Sequence, residues 1–391
     1  MNTNTKLILL LLFIFTACKK PFAPAIVATN VGYLVVEGVI NSGADSTIIK
    51  LSRTVKLSNN KVMTESGANV YVESDNNQKY PLAEKPVGVY TAVGLNLPTT
   101  GKYRLHIVTA NKNEYVSEFT ENKITPAVDS ITYSNRPSGI QVNINTHDDN
   151  NNTRYYRWDF DETWTYYSYL QSFYQYVNHQ VSGRTLDSLI NVCYRHATPS
   201  NSIFVATSDQ LAKDVISGSP LNYVAASTGK LSHVYSILVK QYALTQDAFN
   251  YWQLLKKNTE QLGTIFDAQP STTGGNLHCV TNPSEPVIGY ISISTITTKR
   301  IFVAGSSLPF YVYGYIGPPY SFECKEGAVF IAPAATFTSR IEHALANGDS
   351  ILTNDISELG TGVRVGYHYA YSRCVDCRLL GGTNIKPSYW P

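Results

Sequence analysis

Between Val31 and Thr120 short runs of branched or aromatic residues alternate with turns, without an internal sequence repeat. Tyr33 to Ile40 reads as a strand and stops at Asn41-Ser42-Gly43. Thr47 to Val55, Ala68 to Glu73, Gly88 to Val93, Tyr103 to Thr109 and Tyr115 to Thr120 follow. Asp75-Asn76-Asn77 and Pro98-Thr99-Thr100-Gly101 punctuate them. Branched and aromatic side chains pack well on a pleated surface, and Gly, Asn and Asp accept the backbone angles of tight turns. About seven such runs in about 95 residues is the spacing of a Greek-key sandwich. The expected fold is therefore mainly β. An Ig-like, Greek-key β-sandwich over 31–125 precedes a larger β-rich domain over 126–391 that carries one inserted α-helix. In Gly101-Lys102-Tyr103-Arg104-Leu105 the tyrosine stands where a late strand of such sandwiches begins, the position of a ring that caps the corner between sheets.

Ahead of the strands lies a different segment. Lys6 precedes an unbroken apolar run, Leu7 to Phe15, and then comes Thr16-Ala17-Cys18. The run is too short to cross a bilayer, which takes about 20 residues as a helix. It has the length of a secretory signal's apolar region, with small residues before the cut. A cysteine directly after Thr-Ala is where a lipoprotein signal is processed. Residues 1–17 are then removed and Cys18 becomes an acylated first residue. One acyl chain holds only marginally, at about 0.8 kcal/mol per buried methylene, whereas several hold durably. The alternative is an ordinary secretory signal. On the lipoprotein reading, residues 18–30 form a lipidated tether that Pro21 and Pro24 keep extended.

Only 15% of residues are charged and the formal net charge is +2, so no nucleic-acid partner is expected, because that needs a clustered basic face. The chain is long enough to bury a core without a metal, and no cofactor is expected.

Beyond the junction Ile124-Thr125-Pro126-Ala127, Asp129 to Tyr133 and Gly139 to Asn145 read as strands. His147 to Asn152 is a polar turn. Its oxygens suit either an Asx-rich turn or calcium, but the alternating ligand spacing of a calcium loop is missing. Eleven aromatic residues then fall between Tyr155 and Tyr176. Tyr156, Trp158 and Phe160 alternate as the buried face of a strand would. Trp164, Tyr166, Tyr167, Tyr169, Tyr174 and Tyr176 show no clean period. They serve either a core or a contact surface for a glycan, peptide or protein, since Tyr and Trp offer large rigid area with a polar tip. These six are the candidate contact residues.

Leu186 to Val192 and Ile203 to Thr207 read as strands, followed by turns to Gly218-Ser219-Pro220. Leu231 to Ala243 is a long strand. The helix is expected near 245–262, with Thr245 as cap, Gly263 as stop and Ala248, Trp252 and Leu255 on one face. Gly289 to Ser294 and Thr297 to Ala304 read as a hairpin, and 335–362 as loops with a short helix near Arg340.

No glycine-flanked nucleophile, phosphate loop, zinc helix or dinucleotide fingerprint appears, and no catalytic residue is expected. Beside Cys18 there are five cysteines, so one is left over from any pairing. Cys374-Val375-Asp376-Cys377 suits disulfides, zinc or a redox pair. The second close pair of a zinc ribbon is missing, and the setting is a turn-rich tail rather than a strand–helix junction. The expected arrangement is a disulfide from Cys324 to Cys374 or Cys377 that staples the tail to the domain.

Several of these residues together resemble the domain of unknown function 4249 family. They are the lipidation cysteine, the early Val36-Glu37-Gly38-Val39-Ile40-Asn41 strand, Tyr155 to Trp158 with Glu162-Thr163-Trp164, and the Cys374–Cys377 tail with Gly381-Gly382-Thr383-Asn384. Such proteins are outer-membrane lipoproteins of Bacteroidota, often encoded beside TonB-dependent receptors. The resemblance implies a non-enzymatic accessory lipoprotein of such a receptor, held to the outer membrane through Cys18. A surface adhesin or glycan-binding lipoprotein is the alternative. The family offers no catalytic residues to carry over. Surface-exported lipoproteins often carry acidic residues after the cysteine, and Lys19-Lys20 departs from that, so both the periplasmic and the outer face stay open.

Overall fold

A computed structural model describes residues 32–55, 62–199, 202–260, 274–313 and 324–391. The leader, Cys18 and the tether lie outside these residues, as do residues 314–320 of a second aromatic run, Tyr311 to Tyr320.

The first sandwich begins with β1 (Leu34–Asn41), β2 (Ser46–Arg53), β3 (Met63–Thr64), β4 (Asn69–Ser74), β5 (Lys79–Glu84), β6 (Val89–Val93), β7 (Lys102–Val108), β8 (Glu114–Ser117) and β9 (Thr120–Glu121). Its main path runs β8-β7-β4-β5-β6-β2-β1, every pair antiparallel. Strand β2 shows why it forms: Thr47, Ile49 and Leu51 are buried while Ser46, Ile48 and Lys50 face out. Ile49, Leu51, Val70, Val72, Leu105 and Ile107 share one core with Tyr90, Tyr103 and Tyr115. The Tyr103 hydroxyl donates to the Pro98 carbonyl at 2.9 Å while its ring is buried, which makes the expected corner.

The second sandwich and the rest of the chain comprise β10 (Val128–Arg136), β11 (Gly139–Asp148), β12 (Tyr155–Tyr167), β13 (Tyr174–Val177), β14 (Gln180–Gly183), β15 (Val192–Ala197), β16 (Phe204–Thr207), β17 (Asp214–Ala225), β18 (Val234–Leu244), a helix Gln246–Glu260, β19 (Leu277–Cys279), β20 (Ser292–Ser294), β21 (Ile296–Ala304), β22 (Glu326–Phe330), a helix Phe337–Ala344, β23 (Ser350–Ser357) and β24 (Arg364–Tyr371). Sheet β10-β11-β17 packs on sheet β15-β12-β18-β21. Ile140, Val142 and Ile144 of one meet Tyr156, Trp158, Phe160, Ile237 and Val239 of the other. A C-terminal lobe holds sheet β22-β24-β23, the helix Phe337–Ala344 and the hairpin β13–β14 around Val329, Ile341, Leu352 and Tyr367.

Several expectations are corrected. The segment 126–391 does not form one continuous domain. Strand β19 pairs with β8 and β20 pairs in parallel with β1, and Leu277, Cys279, Ile291 and Ile293 complete the first core. The expected hairpin of 289–294 with 297–304 is therefore split: β20 belongs to the first sandwich and β21 to the second. The turn-rich stretch up to Pro220 keeps its turns only as far as residue 213, and its last part opens the twelve-residue strand β17. Among the described residues it pairs with β11 alone, with register shifts, and an edge strand tolerates proline because its missing N–H faces no neighbour. In place of a strand over 186–192 there is a 3-10 turn at Leu186–Ser188, and β15 begins at Val192. The expected loops of 335–362 include β23.

Two crossings tie the sandwiches together side by side. Lys123 N–H donates to Ile293 O at 3.1 Å, and Thr295 N–H to Lys123 O at 3.0 Å. Thr125 N–H donates to Thr295 Oγ1 at 2.8 Å, and Thr125 Oγ1 accepts from Ala243 N–H at 3.0 Å. The helix Gln246–Glu260, capped by Thr245 Oγ1 on Ala248 N–H at 3.2 Å, fills the corner. Ala248 and Phe249 join Tyr242 and Leu244 of the second sandwich, with Val39 and Tyr290 of the first packed against them. A joint with two hydrogen-bonded crossings and an apolar wedge holds its walls in fixed relation.

Candidate functional site

The aromatic stretch leaves the second sandwich at the end of β12 and crosses to the C-terminal lobe. Along this strap alternate residues turn opposite ways. Ser168 and Ser172 are buried and Leu170 is half-buried, whereas Tyr167, Tyr169 and Phe173 are 45%, 60% and 44% exposed. The inner face is held largely by hydrogen bonds, with Leu170 packed on the small core of Ile190, Ala370 and Val375. Ser168 N–H donates to Asn191 O, and Ser168 Oγ to Val375 O at 2.7 Å. Leu170 N–H donates to Cys374 O and Phe173 N–H to Thr353 O. Ser172 Oγ donates to Leu352 O at 2.7 Å and accepts from Arg184 Nε at 2.8 Å. Serine is small enough to let the strap lie close on the lobe while its hydroxyl satisfies buried carbonyls. The rings are left pointing outward.

The six candidate contact residues divide accordingly. Trp164 packs on the second core, with Lys230 Nζ 4.8 Å from its ring centre. Tyr166 is half-buried under the C-terminal tail. Its hydroxyl donates to Cys377 O at 2.5 Å, Arg195 lies over its ring, and a side chain at Gly382 would collide with it. Burial raises its pKa more than Arg195 lowers it, so the phenol stays a protonated donor. Tyr174 packs in the lobe, within hydrogen-bond reach of Asp355 at 3.2 Å and Arg364 at 3.0 Å. Tyr176 packs there too and donates to Glu342 at 3.2 Å. These four are half-buried. Tyr167 and Tyr169 form the outer face. Tyr167 stacks on His233 at 4.0 Å between ring centres, 20° from parallel. Burial lowers the His233 pKa, which keeps the imidazole neutral at pH 7.

Sequence reasoning missed Phe173 as part of this face. The signal was present in Ser168 and Ser172, which mark the inward side, but the usual rule looks for apolar residues there.

The cysteines form Cys324–Cys374 and Cys193–Cys377, with Cys279 free and buried in the first core. Cys324 to Cys374 is one of the two pairings expected. Cys377 goes to Cys193, which was not among the candidates, so the tail is stapled twice, once to the lobe and once to the second sandwich. At the polar turn, Asp148 accepts backbone N–H bonds from Asn150, Asn152 and Thr153 at 2.9–3.0 Å, which fits an Asx-rich turn. Among the described residues no helix is long and apolar enough to cross a membrane.

The chain is thus a mainly β protein of two sandwiches with a stapled C-terminal lobe. It belongs to the family described as Domain of unknown function (DUF4249), whose pattern matches residues 19–300. No curated protein matches it. Among solved structures it is similar to the FN1–FN3 domains of chicken CNTN1, with a TM-score of 0.18 and 10% identity over 54% of this chain and 62% of that one. It is similar to a two-domain fibronectin type III segment of chicken tenascin, with a TM-score of 0.15 and 12% identity over 55% of this chain and 91% of that one. A biofilm associated protein's BSP domain gives a TM-score of 0.15 and 8% identity over 71% and 59%. The chain therefore spans less than two thirds of the CNTN1 structure it matches.

Proposed function

We propose that this is a non-enzymatic accessory lipoprotein of the outer membrane. Cys18 carries the acyl anchor, and the rings of Tyr167, Tyr169 and Phe173 dock on a TonB-dependent receptor in the same membrane. The supporting observation is the reversed strap, with serines inside and aromatics outside. Scattered exposed apolar residues are ordinary, but a row of exposed rings backed by buried hydroxyls is an informative departure. Protein interfaces are enriched in Tyr and Phe, which bring large area at small entropic cost. A tether ending in lipid confines the protein to the receptor's plane and raises its effective concentration there.

The test is purification of the full chain from detergent-solubilised native membranes. Wild type should bring down a barrel protein. A variant carrying Tyr167→Ser, Tyr169→Ser and Phe173→Ser, with unchanged circular dichroism, should lose it at least tenfold. A wild-type preparation free of any barrel partner, or full capture by the triple variant, refutes the reading. A second reading as an adhesin or glycan binder draws on the Tyr167 ring, which is exposed while stacked on His233, the kind of platform on which sugars stack. Binding of the soluble chain on a glycan array, lost in the triple variant, would favour it.

A further inference from the structure

The corner where the two sandwiches meet contains a cleft of about 590 Å3. Small-molecule sites span about 300–1,000 Å3. Its walls come from different domains. The first sandwich contributes Glu37, Asp45 and Lys50, all exposed, from β1, the turn after it and β2. The second contributes Arg157, Asp159 and Lys240 from neighbouring positions of β12 and β18, where Asp159 lies opposite Lys240 and Arg157 opposite Tyr242. Among the lining residues the first wall has two carboxylates against one ammonium, and the second has two cations against one carboxylate, with Asp161, which does not line the cleft, paired to Lys240. The cleft is therefore dipolar, and the joint described above fixes its walls before any ligand arrives.

Arg157 is the built part of this site. The residue is 7% exposed. Its guanidinium lies between two rings, 4.2 Å from the centre of Trp252 on the helix and 4.6 Å from Tyr242. Arg157 Nη2 donates to Asp159 Oδ2 at 2.6 Å, and Arg157 Nε is buried with no hydrogen-bond partner among the described residues. A cation clamped between rings, lining a polar cleft and paired with the single carboxylate of Asp159, is poised for a second carboxylate, which an arginine binds with directional, charge-assisted bonds. Lys240 also reaches Asp161 at 2.6 Å, which sets its position along the same wall.

We propose that this cleft binds a small zwitterion, an amino acid or a short peptide with both ends free, its carboxylate toward Arg157 and Lys240 and its ammonium toward Glu37 and Asp45. The site is separate from the strap, and neither reading depends on the other. Because the walls are held apart by the joint, little ordering cost falls on binding.

Isothermal titration of the full chain tests this with four probes: alanine, trialanine, N-acetyl-trialanine and trialanine amide. At least one free zwitterion should bind, and alanine against trialanine separates amino acid from peptide. Blocking either end should weaken binding about tenfold or more, the scale of one charge-assisted hydrogen bond. Because Arg157→Gln risks the joint itself, the variants used are the exposed Glu37→Gln and the half-buried Lys240→Gln. Glu37→Gln should weaken the free zwitterion about tenfold while leaving the acetylated probe unchanged, and Lys240→Gln should do the mirror with the amide. The strap triple variant should bind as wild type. No heat from either zwitterion up to about 10 mM, blocked probes that bind equally well, or both variants binding as wild type would each overturn the proposal.

Discussion

The exposed rings ride on a strap that the C-terminal lobe holds, and disulfides hold the lobe. Cys324–Cys374 closes a loop with a sequence separation of 50. Cross-linking a loop of that length removes about 4 kcal/mol of unfolded-chain entropy at 25 °C. The other bond, Cys193–Cys377, offers no shorter path between the same two points, so it spares little of this. Replacing both residues, Cys324→Ala with Cys374→Ala, also thins the small core of Ile190, Ala370 and Val375, which adds about 1 kcal/mol. The lobe should therefore lose about 4–5 kcal/mol against local opening. The strap reports this directly, since Leu170 N–H is bonded to the Cys374 carbonyl and Phe173 N–H to that of Thr353. Hydrogen exchange followed by mass spectrometry on peptides spanning 168–175 should speed up by about a thousandfold, one decade for each 1.4 kcal/mol. Peptides from β4 and β7, which belong to the other sandwich, should not change and serve as the internal reference. If exchange at 168–175 stays within tenfold of wild type, the staple is not what holds the strap. Packing of Tyr174 and Tyr176 on the lobe would then be carrying it.

Three further outcomes are expected. Tyr103→Phe keeps the buried ring and deletes one hydrogen bond, and the Pro98 carbonyl retains Asn122 Nδ2 at 3.3 Å. It should cost about 1 kcal/mol in urea unfolding, and an unchanged midpoint would show that the corner contributes nothing. Lys230→Met strands the Glu162 carboxylate, 3% exposed and 2.5 Å from the Lys230 ammonium. Tyr235 and Asn222 still donate to it, so the loss should be about 3 kcal/mol, at the low end for a broken buried pair, and adding Glu162→Gln should restore much of it. A double variant no more stable than the single would refute this account. Burial raises the Glu73 pKa, but hydrogen bonds from Arg104 and His106 outweigh that and leave it lowered. Such a group contributes stability above its unfolded pKa of about 4.3 and loses it as pH falls through the lower folded value. Glu73→Gln should flatten the acid limb of a stability–pH curve below about pH 5, and parallel acid limbs would contradict the assignment.

Local period was legible where one face of a strand is apolar and the other wet. β2 and the Tyr156–Trp158–Phe160 run of β12 follow that rule, and Tyr103 was readable from its place after Gly101. Pattern reading reports a period but not a sheet. Ser294 ends a strand of one sandwich and Ile296 begins a strand of the other, and nothing in the single residue between them announces the change. β17 was hidden by Gly218 and Pro220, which an edge strand can carry. Cysteine pairing depends on where chain ends meet in space, so the partner of Cys377 could not be read.

The two candidate sites were obscured for a common reason: both lie where the ordinary inside–outside rule is reversed by a neighbour. On the strap, hydroxyls seek the lobe's carbonyls, so serines go inward and rings outward. On β12 the opposite happens. Arg157 falls between Tyr156 and Trp158, and alternation places it on the outer face of its sheet, where an arginine would be solvated. The helix Gln246–Glu260 then lays Trp252 over it and leaves it 7% exposed. An arginine costs several kcal/mol to desolvate, and here Asp159 and two aromatic faces offset that cost. The buried arginine lies at the joint, where the facing wall of the cleft comes from a domain that begins more than a hundred residues earlier.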